Sequence, residues 1–289
     1  MSRRCAAALA AAVLLAAGGC TKPEPGKGGG PGGGTRSALT VKGSDTMVQL
    51  ATAWAQEFMK THPDISVTVT GGGSGTGIKA LINGTADIAN SSRPIQEGEK
   101  AEITRRGELR EFIVAQDALA VIVHPENPVS ELTLAQLKDI YTGKITNWRQ
   151  VGGPNRKIVL NARETSSGTY VFFQEHVLGK DTPYASTALL QPGTSQIVEN
   201  VAQDQGGIGY VGLGYVTDRV KPLKLKKDAA SPGVEPTAEN VLSGTYPLAR
   251  PLFCYTVGAL SPAAKTYLEW IQGPEGQKVV EQLEFVRIK

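Results

Sequence analysis

Short apolar runs alternate along the chain with segments in which apolar residues recur at helical spacing. The segment ALTVKGS is typical of a strand that ends in a loop, and Met47, Leu50, Ala51, Trp54 and Phe58 then fall on one helix face. The segments ISVTVTGGG and ADIANSSR repeat this order, and KIVLNARETSSGT is followed by the helical YVFFQEHVLG. Such alternation predicts an α/β fold.

The middle and the end of the chain show further strand-like and helical runs. The apolar stretches EFIVAQD and LAVIVHPEN stand almost back to back, and QGGIGYVGLGYV and YPLARPLFCYTV also resemble strands. The segments AAKTYLEWIQ and GQKVVEQLEFV close the chain with helical periodicity. We expect the chain to cross between two lobes near residues 117–118 and to return near residues 250–251.

The first residues are typical of an exported protein. Two arginines precede an apolar run from Cys5 to Ala17, which is shorter than the about 20 residues that span a bilayer. Residues 1–19 are predicted to be a signal peptide, with lipidation at Cys20. The Gly/Pro-rich residues 20–37 are predicted to form a flexible tether. The alternative is an ordinary cleaved signal in which Cys20 is incidental.

Charge and cysteine content exclude several classes of function. The formal net charge of +3 falls to +1 without the two arginines of residues 1–19, which gives no reason to expect nucleic acid binding. Cys254 is the only cysteine after Cys20, so it is predicted to pack in the core without a disulfide. The three histidines have no metal-ligand spacing, and neither a metal nor a cofactor is expected.

Three clusters rich in Gly, Ser and Thr lie where a predicted strand turns into a helix. They are residues 43–46 (GSDT), 73–77 (GSGTG) and 166–169 (SSGT). The amino end of a helix carries free N–H groups and partial positive charge, so it attracts anions. Glycine lets the backbone approach a ligand, and short hydroxyls add hydrogen-bond donors. Any one cluster would be explained by helix capping, but three of them favour a shared anion site.

Two arginines occur in similar loops, Arg93 in NSSRP and Arg163 in NARETSSGT. A guanidinium matches a tetrahedral oxyanion with two parallel hydrogen bonds. The alternative for each is a surface ion pair, for example Arg163 with Glu164. Together with the clusters, these arginines predict a site for a small tetrahedral oxyanion, bound and released without chemistry.

Enzymatic motifs do not fit these loops. The segment GGGSGTG matches neither a nucleophile elbow nor a dinucleotide fingerprint, and Lys79 is not placed as in a phosphate-binding P-loop. A spatial catalytic triad needs no local motif, so a serine-dependent phosphoester hydrolase that uses Ser74 or Ser167 stays open as an alternative.

From Ala38 onward the chain resembles the PstS family, the phosphate-binding proteins of bacterial ABC importers. The resemblance rests on GSDTM, GGGSGTGIKAL, ADIANSSRP, IYTGKITNW, RETSSGTYVFF and GGIGYV, in that order. It implies a type II periplasmic-binding-protein fold with two α/β lobes, each a mixed sheet flanked by helices, that close on the ligand. The predicted lobe I comprises residues 38–118 and 251–289, and lobe II comprises residues 119–250.

The resemblance also implies phosphate contacts. In the family's pattern, Thr46, the Met47 N–H and Ser74 would bind from lobe I, and Arg163, Ser167, Gly168 and Thr169 from lobe II. The full set of predicted phosphate-binding residues is Ser44, Thr46, Met47, Ser74, Thr76, Ser92, Arg93, Arg163, Ser167, Gly168 and Thr169.

Ser92 departs from the pattern of some family members, which place an aspartate there to accept a hydrogen bond from protonated phosphate. A carboxylate that faces the unprotonated sulfate would meet only lone pairs, so this acceptor separates the two anions. Asp45 or Asp117 could supply the missing carboxylate, and Asp45 is preferred. The alternatives are a helix N-cap for Asp45 and a hinge turn for Asp117.

The predicted function is therefore that of a monomeric extracytoplasmic lipoprotein that captures inorganic phosphate and delivers it to the permease and ATPase subunits of an ABC importer. The membrane would be contacted through the lipid anchor only. A phosphate-sensing module with the same clamp and a different partner is the second alternative. No catalytic turnover is expected.

Overall fold

The computed structural model describes residues 36–288. The predicted signal peptide, the lipidation site Cys20 and most of the predicted tether lie outside these residues. Ser37, predicted as the last residue of the tether, is instead the first residue of a strand that pairs with Ile65. None of the helices in the described part is long and apolar enough to cross a bilayer.

Strands and helices alternate over most of the chain, which confirms the α/β prediction. The strands are β1 (Ser37–Gly43), β2 (Ile65–Thr70), β3 (Ile88–Ser91), β4 (Leu109–Val123), β5 (Glu131–Thr133), β6 (Val159–Arg163), β7 (Leu189–Gln191), β8 (Gly207–Gly212), β9 (Lys221–Pro222), β10 (Lys224–Lys226) and β11 (Ala249–Val257). The α-helices are α1 (Val48–Thr61), α2 (Ser74–Asn83), α3 (Glu97–Thr104), α4 (Leu134–Tyr141), α5 (Gly168–Phe173), α6 (Thr194–Gln203), α7 (Ala238–Leu242), α8 (Pro262–Gln272) and α9 (Pro274–Gln282). Short 3-10 helices cover Asp45–Met47, Trp148–Val151 and Leu213–Tyr215, and α5 continues as a π-helix over Gln174–Leu178.

The main sheet contains two parallel portions. Its strand order is β2-β1-β3-β11-β4-β8-β6-β7, with β9 also paired to β4. Strand β1 runs parallel to β2 and β3, and β6 runs parallel to β7 and β8. The antiparallel strands β4 and β11 stand between these portions. The loops that leave β1, β2 and β6 therefore emerge at carboxyl ends of parallel strands, where open α/β sheets bind ligands.

Strand β4 joins the apolar stretches EFIVAQD and LAVIVHPEN in one strand of 15 residues. Its first part pairs with β11 as far as Ala118, and its last part pairs with β8 from Leu119 onward. The polar residues Gln116 and Asp117 do not interrupt it, since β11 continues the ladder opposite them. Asp117 lies opposite Arg250 in this ladder, so the hinge-turn alternative for Asp117 is wrong. The predicted lobe boundaries stay a prediction.

Two large apolar clusters flank the sheet and fix the positions of its loops. Trp54 is buried in one cluster and donates its indole N–H to the Gly276 carbonyl over 2.8 Å. Trp148 is buried in the other and donates to the Gly206 carbonyl over 3.0 Å. A buried indole needs such a partner, so both clusters combine dense packing with satisfied polar groups. Cys254 packs in the first cluster as a free thiol, which confirms its predicted core role.

Candidate anion-binding site

Four buried hydroxyls from the loops after β1, β2, β3 and β6 meet at one place. The Thr46 and Thr169 hydroxyl oxygens are 2.7 Å apart. The Ser92 hydroxyl oxygen lies 3.4 Å from that of Thr169 and 3.4 Å from that of Ser74. Thr46, Ser74, Ser92 and Thr169 form what we call the hydroxyl cluster, and each is at most 2% exposed. Residues 123 positions apart in sequence thus share one water-excluded spot.

Glycines allow the loops to approach so closely. A side-chain Cβ on Gly168 would lie 2.3 Å from the Ser74 hydroxyl oxygen and 2.9 Å from that of Ser92. A Cβ on Gly43, whose φ is +146°, would lie 2.1 Å from the Asn90 carbonyl oxygen. Any side chain at either position would push the loops apart, because real Cβ atoms do not come so near. The glycines of the predicted clusters therefore set the spacing of the site.

The loops after β2 and β6 also contact each other through the backbone. The Gly75 N–H donates to the Ser166 carbonyl over 3.0 Å. The Ser166 hydroxyl oxygen also lies 3.3 Å from the Gly72 carbonyl oxygen, while its proton has a closer acceptor in the Glu164 carboxylate, at 2.8 Å. These contacts hold the amino ends of α2 and α5 beside the hydroxyl cluster, where the positive ends of the helix dipoles favour negative charge.

The Ser44 hydroxyl is buried and has no hydrogen-bond partner among the described residues. Its backbone N–H donates to the Asn90 carbonyl over 2.9 Å, which fixes the loop beside the cluster. An unpaired buried hydroxyl costs about 1–3 kcal/mol, so this group has reason to accept a partner. The sequence predicted Ser44 as an anion contact, and its burial agrees with that role.

Arg163 is 1% exposed and is held by groups from two parts of the chain. Its Nη2 donates to Asp45 Oδ2 over 2.7 Å and to the Pro192 carbonyl over 2.8 Å. Its Nη1 donates to the Thr194 hydroxyl over 2.8 Å. The predicted alternative, an ion pair with Glu164, does not describe these contacts, because the carboxylate that pairs with Arg163 comes from the loop after β1.

Asp45 links this arginine to the first two loops. Its Oδ1 accepts from the Gly72 N–H over 2.9 Å, and its backbone carbonyl accepts from the Tyr215 hydroxyl over 2.7 Å. Burial is the main cause that raises the pKa of Tyr215 to about 12, so this hydroxyl stays a donor at neutral pH. These bonds do not support the alternative role of Asp45 as a helix N-cap, because its carboxylate makes contacts between loops.

Arg93 forms an ion pair, but the pair is largely buried, whereas the predicted alternative was a surface pair. Its Nη1 and Nη2 donate to the two carboxylate oxygens of Glu99 over 2.8 and 2.7 Å. The Arg93 Nε is buried without a partner among the described residues. Because Glu99 takes both ends of the guanidinium, the anion-binding role predicted for Arg93 has a competitor inside the chain.

Other predicted contacts are used within the loops. The Met47 N–H donates to the Ser44 carbonyl over 3.0 Å. The Ser167 hydroxyl caps α5 by accepting from the N–H groups of Thr169 and Tyr170. Thr76 lies on the first turn of α2, and its methyl carbon is 3.6 Å from the position that a Cβ on Gly72 would occupy. These residues therefore shape the site, and their contact with an anion stays a prediction.

Sequence reasoning missed Arg250, which the structure places at the hydroxyl cluster. Its side chain is 1% exposed and that of Asp117 is 0% exposed. Arg250 Nε and Nη2 donate to Asp117 Oδ2 over 3.1 and 2.8 Å, and Nη1 donates to the Thr169 hydroxyl over 3.1 Å. Burial raises the pKa of Asp117 and lowers that of Arg250, and the pairing offsets each shift. An arginine within the apolar run YPLARPLFCYTV was the available signal, since buried arginines are rare.

The described histidines bond away from the site. His62 contacts the Phe58 carbonyl, His124 the Glu126 N–H and His176 the Phe172 carbonyl. None therefore stands as a base for Ser74 or Ser167, which disfavours the hydrolase alternative. Residues 36–288 also contain no group of three or more His, Cys, Asp or Glu side chains that could hold a metal ion.

Comparisons with known proteins agree with this geometry. The sequence matches the PBP superfamily domain over residues 28–275. It is 41% identical to protein SphX of Synechococcus elongatus over 231 residues, which covers 76% of this chain and 68% of that protein. It is 33% identical to the phosphate-binding protein PstS of Pseudomonas aeruginosa over 293 residues, which covers 95% of this chain and 89% of the relative.

Solved structures extend the likeness to the fold. The phosphate ABC transporter substrate-binding protein of Clostridium perfringens, solved with bound phosphate, is 34% identical with a TM-score of 0.81, and the match covers 88% of this chain and 100% of that one. The ABC-type phosphate transport receptor of Vibrio cholerae is 31% identical with a TM-score of 0.71, over 86% and 100% of the two chains. These likenesses confirm the predicted periplasmic-binding-protein fold and a binding protein rather than an enzyme. The chain belongs to the PBP superfamily and, within it, to the PstS family of phosphate-binding proteins.

Proposed function

We propose that this protein captures inorganic phosphate between two lobes and delivers it to an ABC importer. The observation that carries the proposal is the hydroxyl cluster, in which Thr46 from the loop after β1 lies 2.7 Å from Thr169 after β6. Buried alcohols from distant loops, with two helix amino ends beside them, suit an anion that offers only acceptor oxygens and at most one proton.

Binding would redirect the hydroxyl protons. Thr46 and Thr169 now share a hydrogen bond, and each would instead donate to a phosphate oxygen between the loops. The cluster is almost fully buried, so these bonds form in a medium of low dielectric constant, where they are electrostatically stronger than in water. The opening and closing that exchange the two arrangements would be a hinge motion of the lobes.

An arginine that is already oriented contributes its guanidinium to the site. Arg163 lies next to the loop of Ser167 and Thr169 and is fixed by Asp45 and Thr194. A fixed guanidinium loses little side-chain entropy when it meets an anion, so it binds better than a free one. The net charge of the arginine and its carboxylate is zero, and neutral dipoles supply the rest of the stabilisation.

The relatives' names support the role in transport. They describe phosphate-binding proteins and a substrate-binding protein of a phosphate ABC transporter. We propose that the protein works outside the cytoplasmic membrane, as a monomer anchored through a lipid on Cys20. Its partners would be the permease and ATPase subunits of the importer, which would recognise the closed form.

Titration calorimetry of the wild-type chain tests the proposal. We expect saturable binding of one phosphate per chain. Arsenate should compete, because it is also tetrahedral and also carries a proton at neutral pH. Dialysis should return phosphate unchanged. Absence of binding heat and of retained radiolabelled phosphate would contradict the proposal, and release of alcohol from a phosphoester would favour the hydrolase alternative.

The preference for phosphate over sulfate should depend on a carboxylate, and we expect that of Asp45 to matter. Asp45→Asn removes a negative charge beside Arg163, so sulfate affinity relative to phosphate should rise at least about tenfold, which is about 1.4 kcal/mol. Competition of each anion against radiolabelled phosphate measures the ratio. An unchanged ratio would remove Asp45 from this role, and Asp117→Asn would then test the second candidate.

A further inference from the structure

Arg250 lies where the two parallel portions of the sheet are joined. It is in β11, directly opposite Asp117 of β4 in the antiparallel ladder. Its Nη1 donates to the Ser92 carbonyl over 3.2 Å and to the Thr169 hydroxyl over 3.1 Å. One guanidinium therefore contacts the loop after β3, the amino end of α5 and the crossing strand β4.

The orientation of this guanidinium is fixed on several sides. Asp117 Oδ2 accepts from Nε and Nη2, while Asp117 Oδ1 accepts from the Leu213 N–H over 2.9 Å. The Phe172 ring lies below the guanidinium, with its centroid 5.2 Å from Cζ. Only the Nη1 edge faces the hydroxyl cluster, so Asp117 determines which edge of Arg250 is presented there.

Stability gives a poor reason for such a pair. The Arg250 and Asp117 side chains are 1% and 0% exposed, and the desolvation of two charges roughly cancels or exceeds their attraction. Apolar residues of similar volume would often serve the fold as well. Strongly buried charges next to a cleft are instead common in binding sites.

The hydrogen bond to Thr169 has a chemical consequence. An alcohol that accepts from Arg250 keeps its own proton for donation, and an anion needs that proton. Of the arginines that the structure describes, Arg250 is the one whose guanidinium donates to the hydroxyl cluster, because Arg93 faces Glu99 and Arg163 faces Asp45.

We infer that Arg250 is a further phosphate-binding residue, which presents a guanidinium donor to the site and directs the Thr169 proton toward the ligand, with Asp117 as its positioning residue. The inference rests on the proposed function. It adds to the site a residue from β11, the strand that pairs with both β3 and β4. The same side chain would therefore contact the ligand and lie where the chain passes from one predicted lobe to the other.

Phosphate affinity of the full-length chain tests the assignment, by calorimetry and competition. Arg250→Lys keeps the charge but loses the planar geometry, and we expect at least about tenfold weaker binding. The double variant Arg250→Met with Asp117→Asn leaves no unpaired buried charge, and we expect at least about 100-fold weaker binding, with circular dichroism to show that the variant folds. The matched control is Arg219→Met with Glu199→Gln, an exposed pair, and it should bind as wild type does.

The link through Thr169 has its own test. In a Thr169→Val background, Arg250→Lys should cost less than about threefold in affinity, because the acceptor that transmits its effect is gone. Equal losses in both backgrounds would overturn that link. A folded double variant within threefold of wild type, or an unaffected Arg250→Lys variant, would overturn the whole assignment. A wild-type chain that binds no phosphate would instead overturn the proposed function and this inference with it.

Discussion

Gly168→Ala is expected to weaken phosphate binding by at least about 100-fold. The added Cβ would lie 2.3 Å from the Ser74 hydroxyl oxygen and 2.9 Å from the Ser74 Cβ. It would therefore clash with an atom bonded to the backbone of the loop after β2, which cannot rotate away. The two loops must separate, and phosphate then loses donors from one side. Two lost hydrogen bonds to a charged group, at about 1.5 kcal/mol each, correspond to a change of this size.

Calorimetry with phosphate measures this effect, and circular dichroism shows whether the variant is folded. The matched control is Gly98→Ala in α3, where an added Cβ meets no atom within 4 Å. That variant should bind phosphate as wild type does. Its thermal midpoint of unfolding should be slightly higher, since alanine stabilises a helix relative to glycine by about 1 kcal/mol. If Gly168→Ala bound phosphate within threefold of wild type, the close approach of these two loops would not be required for binding.

Arg163→Met should lower both phosphate affinity and stability. The substitution leaves the Asp45 carboxylate and the Pro192 carbonyl without their donor, next to a nearly fully buried position. Breaking a buried ion pair by removing one partner costs about 3 kcal/mol of unfolding free energy. Loss of the guanidinium should also weaken phosphate binding by at least about tenfold, because one hydrogen bond from a charged donor is worth about 1.5–3 kcal/mol.

A double-mutant cycle with Asp45→Asn separates these effects. The double variant should be more stable than the sum of the two single losses predicts, by about 1–3 kcal/mol, because no unpaired charge is left. Urea unfolding measures stability, and calorimetry measures affinity. Arg219→Met is the control, since its exposed pair with Glu199 should contribute little to stability. If Arg163→Met changed the free energy of unfolding and the phosphate affinity no more than this control does, Arg163 would have no role in stability or in binding.

The fold class and the positions of the loops could be predicted from the sequence, because both depend on local patterns. Alternating apolar runs predicted β1, β2 and β6, and the hydroxyl-rich clusters were correctly placed between each strand and the next helix. The sequence did not show that EFIVAQD and LAVIVHPEN form the single strand β4. The ladder with β11 continues through Gln116 and Asp117, and no local pattern shows which strand will pair there.

The sequence by itself determined that several hydroxyl-rich loops would meet at the carboxyl ends of parallel strands, since chain order and handedness place them there. The tertiary structure alone decided the partners of the charged side chains. Arg93 pairs with Glu99, Arg163 with Asp45 across 118 residues, and Arg250 with Asp117 across 133 residues. Ion pairs between distant residues depend on packing and burial, because a charge in a dry site must take whichever counter-charge the fold brings near.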